Sequence, residues 1–413
     1  MKKSEFFYGY LIIAACASIQ AIGVGTYVTF GVFFKPLLAE FDWSRATLSG
    51  AHSLAFLISG IFGILVGRLT DRFGPRILMT GTGFFYGFSI LLMSTINAPW
   101  QLYLFYSVFF GIGLSTVDVI ALSTTARWFV RRRGVMTGIV KMGTGSGQMI
   151  MPLLASMLIA GFGWRRAYVI IGGMAMVLIV LIAQLLRRDP AHMGLLPDGA
   201  RAETSGSEFV ERETSFREAI RSRQFWTIFF ANLAACFSLM SVILHIVPHA
   251  IDIGTPSTAA AGILSTIGGV SMVGRFFIGN TIDRIGNRRS MILCFVLLII
   301  VLLWLQLSKE LWMLYLFAAV YGFTHGGFFT VISPIVAEYF GIRSHGFIFG
   351  MAVFAGTVGG FIGPIFAGSI FDLTASYRVA FWGCLCAAAI GFGLILSLRP
   401  VRSKEKTRSE EVG

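Results

Sequence analysis

Three ionisable side chains fall where water is scarce. Arg275, Asp118 and Lys141 each lie inside a long apolar stretch, where a charge is costly unless it is paired or faces a wet cavity. A guanidinium in such a place offers a planar, permanently charged fork for a carboxylate. Arg275 counts as roughly 10 Å deep, and Asp118 and Lys141, on consecutive antiparallel stretches, as roughly 11–12 Å, so these two can pair. If they pair, Arg275 is the uncompensated cation and the site suits a single carboxylate. A proton on Asp118 then breaks the pair and changes the local charge. If Lys141 is free, two cations favour a dicarboxylate. The plainer alternatives are an arginine that snorkels to a helix end and an ion pair that merely fastens two helices. His325, flanked by Gly322, Gly326 and Gly327, and His245 and His249 add groups whose charge can change near neutral pH. Against a proton-coupling role stand buried neutral rings, or, for His249 and His52, rings wetted at an interface. Tyr27, Asn232 and Tyr321 are further polar groups available to a bound solute.

The elements that must position these groups follow from composition. With 56% apolar residues, 13% charged and 39 Phe in 413 residues, the apolar surface cannot all enter one soluble core. Runs of about 20 residues or more, long enough to cross ~30 Å of hydrocarbon, recur between short polar breaks. Twelve are expected, at 8–33, 46–69, 76–97, 100–126, 135–161, 164–186, 224–249, 258–281, 289–308, 311–337, 345–371 and 377–398. The fold class is therefore all-α and polytopic.

Lys2 and Lys3 before an apolar run imitate a signal peptide, and Cys16 after Ile13-Ala14-Ala15 imitates a lipoprotein site. The run continues to Phe34, so it reads as a first membrane helix. The five cysteines lie inside spans without metal-type spacing, and neither metal nor cofactor is expected.

The net charge of +13 is dispersed over loops instead of forming one basic domain, which argues against nucleic acid. Positive residues concentrate in alternate loops, including Arg72, Arg76, Arg131 to Arg133, Arg187, Arg188, Arg284, Arg288 and the tail after Arg399. The opposite side carries few, such as Lys35, Arg45, Arg165 and Arg378. The positive-inside rule places both termini in the cytoplasm, with the chain in a plasma or inner membrane. The long polar segment between spans 6 and 7 reads as a turn-rich linker followed by a short amphipathic helix in FREAIRSRQFW. The organisation is a six-helix bundle over 1–186, a linker over 187–223, a second bundle over 224–399 and a tail over 400–413.

The two bundles are one unit written twice. GRLTDRFGPR (67–76) and GNTIDRIGNR (279–288) align at an offset of 212 residues (283 − 71), which also relates Gly134 to Gly346, Gly138 to Gly350, Gly147 to Gly359 and Pro152 to Pro364. Two parallel six-helix repeats around an axis along the membrane normal form the architecture of alternating-access carriers, with a solute site near the midplane. Asp71 and Asp283, where their helices leave the bilayer, then read as latches between the halves. Arg127 is the partner expected for Asp71, and Arg72, Arg76, Arg284 and Arg288 complete the charged cluster; alternatively these charges only set topology and tight loops. Gly143-Thr144-Gly145-Ser146-Gly147 imitates a phosphate loop, but no strand precedes it and no lysine follows, so close helix packing is the expected use.

The doubled G-x-x-x-D-R-x-G-x-R pattern resembles the signature of the major facilitator superfamily over essentially the whole chain. FGVFFKPLLAEFDWSRA (30–46), ARWFVRRRG (126–134), MGLLPDG in the linker, HIVPHAIDIG (245–254) and VAEYFG (336–341) resemble its monocarboxylate porter and oxalate/formate antiporter branch. The resemblance implies carboxylate binding by Arg275 in span 8 and latching by the two aspartates. Two departures matter. Oxalate-type relatives carry a lysine in span 11, where this chain has no basic residue after His345. Mammalian monocarboxylate porters carry an acid one turn before the span 8 arginine, where this chain has Ser271. The expected activity is secondary transport of a small carboxylate, a monocarboxylate of the lactate or pyruvate kind with a proton. An anion exchanger, oxalate/formate or other, and a drug-type exporter are the rivals. No nucleophile and base or metal-ligand constellation suggests an enzyme, and no output domain suggests a sensor. No partner protein is indicated.

Overall fold

The computed structural model describes residues 7–43, 45–199 and 214–399, and nothing of the Arg45 side chain. Lys2, Lys3, residues 200–213 of the linker and the basic tail from residue 400 lie outside those residues. Twelve helices are long and apolar enough to cross a membrane. They are α1 (Tyr8–Phe41), α2 (Arg45–Phe73), α3 (Pro75–Thr95), α4 (Pro99–Trp128), α5 (Arg133–Phe162) and α6 (Trp164–Ala183). The second set is α7 (Arg223–Asp252), α8 (Ser257–Ile285), α9 (Asn287–Leu307), α10 (Leu311–Phe340), α11 (His345–Thr374) and α12 (Tyr377–Leu396).

Several helices overrun the apolar spans that mark them, because a helix needs no hydrocarbon around its last polar turns. α1 continues to Phe41 and α8 to Ile285. Arg275 lies ten residues from the end of α8 (285 − 275), roughly 15 Å along the helix axis at 1.5 Å per residue, with the last turn of α8 beyond the apolar span. α4 is also less regular than its sequence, winding as a π-helix over Tyr103–Phe110. That segment turns Ser107 toward the Ala51 carbonyl of α2 at 2.8 Å and Tyr106 toward His52 at 3.0 Å.

The repeat in sequence is a repeat in packing. Within the first half α1 packs on α5, α2 on α4 and α3 on α6; within the second, α7 packs on α11, α8 on α10 and α9 on α12. The halves meet along α2 with α11 and along α5 with α8. Small residues permit these approaches, as expected of the glycine-rich stretch in α5. A Cβ on Gly147 would overlap the Ala21 carbonyl of α1, and one on Gly359 would overlap the Leu233 carbonyl of α7, the same contact 212 residues later (359 − 147).

Tight turns join α2 to α3 and α8 to α9. Gly74 and Gly286 hold φ of 82° and 86°, a region costly for any residue with a Cβ, and the next helix begins one residue later. Both chain ends of the described bundle emerge at this same face, which also carries most of the arginines and is called the basic face below.

The linker attaches to both halves. Trp128 Nε1 donates to the Arg187 carbonyl at 3.0 Å, and Asp198 accepts from the backbone N–H groups of Val130, Arg131 and Arg132 at 3.0, 2.8 and 3.3 Å. The amphipathic segment forms only the short helix Phe216–Arg221, opened by a capping box. Its Ser215 N–H donates to Glu218 at 2.9 Å and holds that carboxyl below its ordinary pKa. Phe216 packs edge-on against Phe347 of α11, 4.1 Å between ring centres.

Candidate functional site

At the basic face two carboxylates cross between the halves. Asp71 of α2 accepts from Gly346 N–H at 3.2 Å and Phe347 N–H at 3.1 Å, the first turn of α11. Asp283 of α8 accepts from Gly134 N–H at 2.7 Å and Val135 N–H at 2.9 Å, the first turn of α5. Donors and acceptors all match at the offset of 212. Each carboxylate meets free N–H groups and the positive end of a helix dipole. The symmetry then breaks. Arg127 reaches Asp71 at 2.8 Å and is largely buried, whereas position 339, its counterpart, is a tyrosine whose hydroxyl donates to the Arg399 carbonyl at 2.8 Å.

Glycine contacts show how far this closure extends. Gly67 meets Gly346, Gly63 meets Gly350 and Gly60 meets Thr357 between α2 and α11, while Gly134 meets Gly279 and Gly138 meets the Arg275 carbonyl between α5 and α8. Farther from the basic face, a Cβ on Gly268, Gly269 or Gly31 would meet open space. The halves are held together on the basic side as far as the level of Arg275.

At that level the charged side chains converge. Lys141 Nζ stands 2.5 Å from Asp118 Oδ1, with the lysine side chain 5% exposed and the aspartate 34%. Gln20 Nε2 of α1 donates to the same Asp118 oxygen at 2.6 Å, and Thr144 Oγ1 of α5 donates to Gln20 Oε1 at 2.7 Å. Arg275 is 2% exposed; its NH1 donates to the Lys141 carbonyl at 3.1 Å, and its buried Nε has no hydrogen-bond partner. Phe329 of α10 lies under the Lys141 ammonium at 5.9 Å and beside the His325 ring at 5.1 Å. His325 Nδ1 is also buried without a partner. The result is a neutralised pair, one further cation with an unused donor, and an imidazole nearby.

A family profile described as Major Facilitator Superfamily matches residues 11–281 and, again, 250–413. The chain belongs to the major facilitator superfamily. Among curated relatives it is 27% identical to the oxalate:formate antiporter of Oxalobacter formigenes, over 97% of this chain and 95% of that protein. It is 22% identical to human monocarboxylate transporter 12, over 94% of this chain and 79% of the other. The solved Escherichia coli fucose:proton symporter shares the fold at a TM-score of 0.72 and 14% identity, covering 95% of this chain and 100% of that one. The chain is thus a membrane transporter and not an enzyme.

In this superfamily member several residues singled out from sequence have contacts of their own outside the Arg275 cluster. Tyr321 is fully buried and donates to the Leu239 carbonyl at 2.5 Å, and Asn232 donates to the Ala352 carbonyl at 2.8 Å; each joins two helices. Tyr27 stacks on His52 at 4.3 Å in an aromatic cluster away from Arg275. His245 contacts the Pro364 carbonyl at 3.1 Å and Tyr377 at 3.3 Å, and His249 is buried against Phe381, not wetted. Arg76 binds Gln184 of α6 and Arg288 binds the Leu396 carbonyl of α12, so each braces its own half. Arg72 lies over Phe73, and Arg284 is exposed. Among the described residues, none of these four arginines hydrogen-bonds or ion-pairs with the opposite half.

Gln20 and Thr144 are the members that sequence reasoning passed over. A signal existed: Gln20 is an amide inside a span, and the offset of 212 brings it to Asn232. Both amides tie the first helix of their half to a neighbour, but only Gln20 ends on a carboxylate.

Proposed function

We propose that this transporter carries a small monocarboxylate, of the lactate or pyruvate kind, together with a proton. Its halves rock about the level of Arg275 by alternating access, and the basic face is cytoplasmic. The observation that carries the reading is Arg275, deep between the halves with its Nε unused while Asp118 and Lys141 neutralise one another. A site of net charge near +1 matches one carboxylate, and the bidentate geometry of guanidinium with carboxylate suits the free donor edge. Protonation of Asp118 releases Lys141 and couples solute to proton. Likeness to proteins named as a monocarboxylate transporter and an oxalate:formate antiporter supports the carboxylate class.

The test is uptake of labelled lactate into proteoliposomes with and without an inward proton gradient, beside Arg275→Ala. The expected result is gradient-driven uptake that the substitution abolishes. Absence of lactate uptake by correctly inserted protein overturns the substrate assignment. Uptake that needs an internal anion and ignores the proton gradient identifies an exchanger instead.

A further inference from the structure

Away from the central site, positive charge gathers where α2, α3 and the start of the linker meet. Arg72, Arg76, Arg187, Arg188 and His192 line a groove of about 290 Å³ at the basic face. Their partners are mostly neutral. Arg76 Nε donates to Gln184 Oε1 at 3.0 Å, Arg187 NH1 donates to the carbonyls of Gln184 and Leu186 at 2.7 and 2.9 Å, and the Arg72 guanidinium lies 5.1 Å from the centre of the Phe73 ring. Among the described residues Asp189 is the carboxylate within reach, 3.8 Å from Arg188 Nε and 3.6 Å from His192 Nε2, both too long for a hydrogen bond. Arg188 Nε is buried without a hydrogen-bond partner.

Among the described residues, four guanidiniums against one loosely placed carboxylate leave a local excess of positive charge. The surroundings are amphipathic as well. Phe73 and Ile77 also line the groove, are 51% and 70% exposed, and stand at the basic-face ends of membrane-crossing helices, so apolar surface adjoins the arginines. α3 begins at Pro75 in the same groove, adding the positive end of its dipole. The repeat alone does not demand this cluster. Arg288 and Arg399 match Arg76 and Arg187, but the sequence has Pro400 where the first half has Arg188.

We propose that this groove binds the phosphate of an anionic phospholipid, with the guanidiniums of Arg76 and Arg188 on its oxygens and the acyl chains along Phe73 and Ile77. Basic pockets between membrane helices recognise anionic headgroups in this way, and arginine suits phosphate because its fork donates two parallel hydrogen bonds. The proposal is independent of the transported solute.

The test is native mass spectrometry of the full chain released from nanodiscs containing either phosphatidylglycerol or phosphatidylcholine. Wild-type protein is expected to retain phosphatidylglycerol and not phosphatidylcholine. Apparent affinity for phosphatidylglycerol is expected to fall about five-fold in Arg188→Gln and about thirty-fold in Arg76→Gln/Arg188→Gln. Arg378→Gln, at the opposite face, is the control expected to bind as wild type. Millimolar inorganic phosphate, which shares the charge but lacks the chains, is expected to leave the lipid in place. Equal retention by wild type and both variants, equal retention of phosphatidylcholine, or displacement by inorganic phosphate alone overturns the proposal. Should the double variant not fold, Arg188→Gln carries the test, since that side chain is 38% exposed and tolerates change.

Discussion

Lys141 and Gln20 place their donors on one oxygen, Oδ1 of Asp118, at 2.5 and 2.6 Å. That carboxylate balances a buried ammonium, and its loss leaves the ammonium without its counter-ion. Asp118→Asn should destabilise the protein by about 1–3 kcal/mol; the partial exposure of the Asp118 side chain, 34%, moderates a cost that is larger for fully buried pairs. Lys141→Gln combined with Asp118→Asn should recover part of that loss, because no orphan charge remains. Thermal unfolding in detergent of the two single variants and the double closes the cycle. Equal destabilisation by the double variant and the sum of the singles would show that the pair contributes no coupling.

The two latches should not be equal. Asp71 and Asp283 each cap a helix of the opposite half, but Asp71 alone of the two has a salt bridge to Arg127, at 2.8 Å. Asp71→Asn forfeits a charge-assisted pair as well as half of its cap, which corresponds to a shift of roughly ten-fold or more in the closed-to-open ratio at the basic face. Asp283→Asn should shift it less. Spin-label distances across the basic-face ends of α2 with α11 and of α5 with α8 measure both. A larger opening in Asp283→Asn would contradict the added role given to Arg127.

Much of this arrangement is legible in the sequence because it rests on repetition. Duplicated spans, matched Asp71 and Asp283, and glycines paired at 212 residues follow from a unit copied once, and copied units pack alike. What the repeat cannot reveal is where the copies differ in use. Asn232 and Gln20 are counterparts, yet one meets a carbonyl and the other Asp118. Tyr321 carries the same polar hydroxyl whether it faces a solute or, as here, a backbone carbonyl of α7. Helix rotation decides such matters, and in spans that are apolar almost all round the hydrophobic pattern does not set the rotation.

The linker should matter through Asp198. Its carboxylate collects three consecutive N–H groups of residues 130–132, immediately before the α5 turn that Asp283 caps. Asp198→Ala returns those donors to water and removes a cap of about 0.5–2 kcal/mol. Amide hydrogen exchange at residues 130–132 should then accelerate by a few-fold to about thirty-fold, with no change in the centres of the membrane helices. Unaltered exchange in that loop would mean that the linker rests there without restraining it.

Close helix approach gives the sharpest size dependence. At Gly147 an added Cβ meets the Ala21 carbonyl, and at Gly359 the Leu233 carbonyl, backbone atoms that cannot rotate aside. Gly147→Val and Gly359→Val must therefore push α1 from α5 and α7 from α11, at a cost of about 1–3 kcal/mol or more for overpacking. Gly161→Ala, in the same helix as Gly147 but with open space around its Cβ, should be nearly neutral. Melting temperatures of the three variants in one detergent provide the comparison. Because the two valine substitutions load equivalent contacts in the two halves, they should depress stability to a similar extent. A strong effect at one position alone would mean that the halves, though copied, no longer share their stability equally.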